Sequence, residues 1–214
     1  NYDFADGLGS GYVKSILIEG KNMWLGTSNG LVYYNGKKFK TYTKKDGLPD
    51  DWINKIVKSP KGELWIATKN GLSIYDGMSF KNTSYLNGLN HREVNDIYFD
   101  DNGEIMIATQ RGVSKLREDG TFFSLDPVRT GHDISLTAIY DIKKSRDGIY
   151  WFAGFNYGAW KYDPSSVRNL TKKDSIPIAN KSKMIIDSDQ TLWVGTEGQD
   201  IFEIKNEKLK NVYT

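Results

Sequence analysis

The chain has no cysteine and only two histidines. Without cysteine there are no disulfides, no thiolate metal sites and no cysteine nucleophile. The absence says little about compartment, because a β-protein of this size needs no covalent staples. His91 and His132 stand far apart in sequence. No Ser-His-Asp constellation can be assembled around them, and no His pair has metal-ligand spacing. No apolar run approaches the roughly 18 residues of a membrane-spanning helix. The 29 basic and 27 acidic residues leave a net charge of +2, with no basic stripe of the kind that binds nucleic acid. Lys37-Lys38 and Lys44-Lys45 lie near turns and read as solvated faces. No leader peptide is visible, so the expectation is a cytosolic chain or a trimmed segment of an exported one.

What is present is repetition. A Gly-rich turn, an apolar residue or Trp, and a Gly-Thr-like pair recur five times. The copies are 23–27 (Met-Trp-Leu-Gly-Thr), 64–68 (Leu-Trp-Ile-Ala-Thr), 105–109 (Ile-Met-Ile-Ala-Thr), 150–154 (Tyr-Trp-Phe-Ala-Gly) and 192–196 (Leu-Trp-Val-Gly-Thr). The intervals between their Trp or Met positions are 41, 41, 45 and 42 residues. A fixed period in this range signals a repeat architecture.

One repeat, 46–83, shows the unit. Asp46-Gly47-Leu48-Pro49-Asp50 is a turn cluster. Ile53 to Lys58 reads as a strand, Ser59-Pro60-Lys61-Gly62 as a hairpin turn, and Glu63 to Thr68 as a second strand. That strand places Leu64, Ile66 and Thr68 on one face and Trp65 and Ala67 on the other. Lys69-Asn70-Gly71 turns into a third strand, Leu72 to Asp76, and Asp76-Gly77 into a fourth, Ser79 to Thr83. No window shows a 3.6-residue amphipathic pattern. Four antiparallel strands in about 40 residues, repeated without helices, make one blade of a β-propeller. The fold class is therefore all-β, with five four-stranded antiparallel blades at 6–43, 46–83, 87–125, 131–170 and 174–214. Trp24, Trp65, Trp151 and Trp193 are expected to pack between blades, and Gly26, Ala67, Ala108 and Gly195 to sit where sheets approach closely. Trp52 and Trp160 fall outside the motif.

The phase of the repeat adds an expectation. Residues 1–5 read as the last strand of a preceding blade, and 209–214 as a complete fourth strand. Either the chain is cut from a longer, about seven-bladed propeller, or it is a five-bladed ring with a spare edge strand. The fourth copy departs from the others. Its longer interval is assigned to the hairpin from Lys143 to Tyr150, and its second turn is the aromatic Gly154-Phe155-Asn156-Tyr157-Gly158.

The series Asp46-Gly47-Leu48-Pro49, Ile56, Gly62-Glu63-Leu64-Trp65-Ile66-Ala67-Thr68, Asn70-Gly71-Leu72 and Tyr75-Asp76-Gly77 resembles the two-component regulator propeller repeat. The resemblance runs through all five copies and is loosest in the fourth. It implies the periplasmic or extracellular sensor region of a Bacteroides-like hybrid histidine kinase, where ligands are often glycan fragments. It also implies a kinase elsewhere in the parent chain, a membrane reached only through other segments, and the option of a homodimer. Ser145-Arg146-Asp147-Gly148 and Ser188-Asp189-Gln190-Thr191 are similar to the structural Asp-box turns of sialidase-type propellers. Virginiamycin-lyase-like propellers are of the same general kind, with His and acidic residues at their centre.

No catalytic residue, metal or cofactor is expected. Asp100-Asp101-Asn102-Gly103-Glu104 lacks the spaced ligand set of a calcium loop and reads as a hairpin turn. The binding expectation falls on loops that share one propeller face. They carry Tyr12, Trp52, His91, Arg92, Glu93, Arg111, His132, Phe155, Asn156, Tyr157 and Glu197. Tyr12, Trp52 and Glu93 hold equivalent repeat positions, following Gly7, Gly47 and Gly88. Aromatics, amides, Arg and a carboxylate together suit a polar small molecule or oligosaccharide. The competing readings are a propeller that docks another protein and, further off, a hydrolase or lyase.

Overall fold

The computed structural model describes residues 8–9, 12–101, 103–125, 137–155, 158–163, 166–170, 182–196, 200–205 and 208–213, with the backbone alone at 166–170, 182 and 196. They form five four-stranded antiparallel sheets, each a meander in chain order. Sheet 1 holds β1 (Val13–Glu19), β2 (Asn22–Thr27), β3 (Gly30–Tyr34) and β4 (Phe39–Tyr42). Sheet 2 holds β5 (Ile53–Lys58), β6 (Leu64–Thr68), β7 (Gly71–Tyr75) and β8 (Phe80–Thr83). Sheet 3 holds β9 (Val94–Phe99), β10 (Ile105–Thr109), β11 (Val113–Leu116) and β12 (Phe122–Ser124). Sheet 4 holds β13 (Ile139–Lys144), β14 (Tyr150–Gly154), β15 (Gly158–Asp163) and β16 (Ser166–Leu170). Sheet 5 holds β17 (Ser182–Ile186), β18 (Leu192–Thr196), β19 (Ile201–Lys205) and β20 (Lys208–Tyr213). The first strands β1, β5, β9, β13 and β17 contact one another in that order. The all-β, five-sheet architecture read from the repeats is the one observed. Residues 1–5, expected as a preceding strand, lie outside the described residues.

The motif Thr has a local task. Thr27 Oγ1 donates to the Gly30 carbonyl at 2.8 Å and accepts the Asn29 N–H at 3.0 Å. Thr68 repeats this on Gly71 and Asn70, and Thr109 on Gly112 and Arg111. The hydroxyl thus closes the turn that follows the second strand. One feature departs from the sequence reading. The Gly-Leu turns before β5 and β9 begin with single 3-10 turns, Lys44–Asp46 and Tyr85–Asn87. Each is closed by a capping box, Thr43 with Asp46 and Ser84 with Asn87.

Packing between sheets uses both faces of the inner strands in sheets 2, 3 and 4. Leu64 and Ile66 pack back against Trp24, Leu31 and Leu17 of sheet 1. Trp65 and Ala67 pack forward against Ile97 and Ile107 of sheet 3 and against Leu89 in the turn before it. Trp24, Trp65 and Trp151 are buried in this way, and Met106 takes the same place in sheet 3. A Cβ on Gly26 would lie 2.8 Å from Ile53 Cγ2, so the small residue is required there. At Gly195 a Cβ would meet nothing within 4 Å among the described residues. The same contrast appears one strand inward. Ile56, Ile97 and Ile142 are almost completely buried, whereas Ile16 at the same position of sheet 1 is 60% exposed.

The long fourth interval is not in the hairpin expected. Lys144 pairs with Tyr150 as Lys58 pairs with Leu64, so that hairpin has the ordinary length. One extra residue sits between β11 and β12, where Leu116 pairs with Phe122 while Tyr75 pairs with Phe80. The rest falls in the longer connection between Leu125 and Ile139.

Candidate ligand-binding site

In four sheets the first strand carries one residue too many. Val13 pairs with Thr27 and Ser15 with Gly26, which leaves Lys14 over. Asn54, Asn95 and Tyr140 are left over in the same way in β5, β9 and β13. A bulge of this type bends the strand and re-aims a side chain. All four extra residues line one cavity of about 470 Å³. Lys183 of β17 joins them, so every sheet contributes to it. Tyr12, Trp52 and Glu93 line its upper part, together with the turn residues Lys69 and Gln110.

Trp52 is the best-held side chain of the site. Its indole N–H donates to Asn54 Oδ1 at 3.1 Å, and Lys14 Nζ donates to the same oxygen at 2.6 Å. The Lys69 ammonium stands 3.6 Å from the centre of the ring, and Tyr12 approaches it tilted at 5.8 Å. Asn54 and Asn95 also reach forward: their amides donate to the Val94 and Ile139 carbonyls at 2.8 and 2.7 Å. Both are buried, so they join neighbouring sheets and hold the cavity wall.

The repeat equivalence of Tyr12, Trp52 and Glu93 has a structural expression. Their carbonyls accept the N–H groups of Ser28, Lys69 and Gln110 at 3.2, 3.2 and 3.1 Å. Ala138 does the same for Phe155 at 2.8 Å. Each position therefore ties the entry of a first strand to the turn after the second. At Tyr12, Trp52 and Glu93 it also places a side chain in the cavity lining.

Directly beneath the bulges lies a buried carboxylate pair. Asp96 Oδ2 accepts the Ile142 N–H at 3.0 Å, and Asp141 Oδ2 accepts the Met184 N–H at 2.9 Å. Each carboxylate thus caps the backbone of the following sheet. Asp96 Oδ1 is buried without a hydrogen-bond partner, 3.4 Å from Lys55 Nζ. Burial first, and then the neighbouring Asp141, push the Asp96 carboxyl up to about 6, against the pull of Lys55. Burial also acts on Asp141, but the hydrogen bond with Asp96, Lys143 and the Met184 amide outweigh it and hold that carboxyl below its usual range. The raised Asp96 binds a proton more tightly folded than unfolded. Its contribution is thus complete below the ordinary carboxylate value of 3.8 and is lost as pH rises towards about 6. Asp96→Asn is isosteric with the protonated form. It is expected to leave stability unchanged near pH 3.5 and to raise it by about 1–3 kcal/mol at pH 7. Urea unfolding at both pH values checks this; equal stability of the two proteins at pH 7 counts against it.

Of the residues expected at a site, Tyr12, Trp52 and Glu93 meet in the cavity. His91, Arg92 and Arg111 stand beside it rather than in its lining. His91 Nδ1 accepts the Glu93 N–H at 3.0 Å, so its ring closes a local turn. Burial lowers its proton affinity; Glu93 opposes this, while Arg92 and Arg111 add to it. Phe155 meets the cavity residue Tyr140 edge-on at 6.5 Å. His132, Asn156, Tyr157 and Glu197 lie outside the described residues. Lys14, Asn54, Asn95, Tyr140 and Lys183 were missed by sequence reasoning. Their shared signal is position: four stand within two residues after the Tyr12-Trp52-Glu93 series and its Ala138 equivalent. Asp100 to Glu104 is a hairpin turn, as read: Asp100 N–H donates to the Glu104 carbonyl at 2.9 Å. Among the described residues no three His, Asp or Glu side chains gather as a metal site, and no helix is long and apolar enough to cross a membrane.

Radially arranged four-stranded meanders whose first strands converge on one cavity define a β-propeller. Residues 47–70, within the repeat whose motifs were clearest, match the family model described as "Two component regulator propeller". No curated protein matches the sequence. Among solved structures, the extracellular domain of one hybrid two-component system from B. thetaiotaomicron aligns over 100% of this chain with a TM-score of 0.82 at 20% identity. A second such domain from the same organism aligns over 95% with a TM-score of 0.74, again at 20% identity. The chain spans only 31% of each of those domains. A virginiamycin B lyase from Staphylococcus aureus, solved with quinupristin, aligns over 95% of this chain and 70% of its own with a TM-score of 0.71 at 16% identity. At these identities the likeness is one of fold.

Proposed function

We propose that this propeller is a ligand-sensing part of a two-component receptor, lying on the periplasmic or extracellular side, and that the cavity at the mouth of its channel binds a carbohydrate. One observation carries the reading: four bulged first strands and a fifth strand turn side chains into a single cavity headed by an immobilised Trp52. An aromatic face offers stacking surface to a sugar ring, while fixed polar groups around it set orientation. The family match at residues 47–70 and the folds of the two extracellular domains support the sensor assignment.

Calorimetric titration with a panel of oligosaccharides tests the reading. At least one saccharide is expected to bind, and Trp52→Ala is expected to weaken it at least tenfold with the fold intact. Failure of every saccharide to bind, or binding that is indifferent to Trp52, overturns it in favour of a protein-docking propeller.

A further inference from the structure

The cavity carries an uneven charge that the rest of the chain does not. Basic and acidic residues nearly balance overall, at 29 and 27. In the cavity lining, however, Lys14, Lys69 and Lys183 face a single carboxylate, Glu93. The three lysines come from sheets 1, 2 and 5, so they surround the space rather than crowd one wall. Arg92 and Arg111 lie close enough to depress protonation of His91, and they extend the positive charge along the same rim.

The pairing of the lysines points the same way. Lower on the first strands, Lys55, Lys58, Lys143 and Lys144 are each matched by a carboxylate: Asp96, Glu19, Asp141 and Asp100. Among the described residues neither Lys69 nor Lys183 has an ion pair within 4 Å; Lys183 is drawn only to the buried Asp141, whose carboxyl it helps to lower. Lys69 lies instead on the Trp52 ring, an attraction that leaves its charge uncompensated. Ammonium groups gathered around a concave space repel one another, and an anion entering that space relieves them. A ligand that stacks on Trp52 brings its substituents into the reach of these lysines.

We infer that the ligand of this cavity is an anionic saccharide, carrying a carboxylate or a sulfate that Lys69 and Lys183 receive. The inference rests on the carbohydrate reading above and narrows it. The intact chain is titrated with two matched pairs: a galacturonate trimer with its methyl ester, and a sulfated galactose disaccharide with its desulfated form. The acidic member of at least one pair is expected to bind at least tenfold tighter at low salt. That advantage is expected to vanish near 0.5 M NaCl, where screening is strong. Which pair shows it separates carboxylate from sulfate recognition. Lys69→Met and Lys183→Met, both at exposed positions, are expected each to lower the ratio of acidic to neutral affinity three- to tenfold, whatever the change in neutral binding itself. A neutral member that binds as tightly as the acidic one overturns the charge inference and leaves the carbohydrate reading standing. So does an acidic preference untouched by both lysine variants. A panel in which nothing binds overturns both.

Discussion

Gly71→Ala is expected to lower the unfolding free energy by about 3–5 kcal/mol. Gly71 closes the turn between β6 and β7 with φ at +120°. An L side chain is strained at that angle whatever the space around it. A Cβ there would also lie 2.6 Å from the Thr83 carbonyl oxygen, a backbone atom tied into the β7–β8 pair. Neither partner can yield without breaking the ladder. Gly77→Ala is the control. Its φ is +100°, but a Cβ there meets nothing within 4 Å among the described residues, so it reports strain alone, about 1–2 kcal/mol. Chemical denaturation of both variants separates strain from close approach. Equal losses would mean that the approach to Thr83 relaxes at no cost.

The second large effect is expected at Ile142. Ile142→Ala should cost about 3–4 kcal/mol, because the side chain is completely buried between sheets 3 and 4 and shares its pocket with Phe152 and Trp160. Ile16→Ala removes the same atoms from the same repeat position and should cost less than about 1 kcal/mol, because Ile16 is 60% exposed. Two identical substitutions at equivalent positions thus differ severalfold, for reasons that lie in the neighbouring sheet. Urea midpoints measured side by side decide it; similar losses would show that Ile16 is covered in solution.

These contrasts mark what could be read from the amino-acid order. The Trp and Gly-Thr phrase is a nearest-neighbour pattern: turn residues act locally, and alternating apolar residues report burial on two faces. The five sheets followed from it directly. The bulges could not be read this way. Lys14, Asn54, Asn95 and Tyr140 have no side-chain type in common beyond the two asparagines, and a slipped register is a property of paired backbones rather than of one strand. The site was therefore half legible. Tyr12, Trp52 and Glu93 stood out by position, while the residues supplied by the bulges did not. The buried Asp96 and Asp141 were invisible for a related reason, since their partners are amides one sheet away. The Thr43–Asp46 and Ser84–Asn87 capping boxes were present in the sequence and were absorbed into a turn.

The forward-facing Trp and the backward-facing aliphatics give the stack of sheets a polarity. On sheet 1 the backward face shows Ile16 and Ile18 exposed, and on sheet 5 the forward face shows Ile185 and Ile201 exposed beside Trp193. Inside the protein each sheet thus meets the one before it and the one after it through unlike surfaces, so the faces themselves fix the order and direction in which the sheets stack.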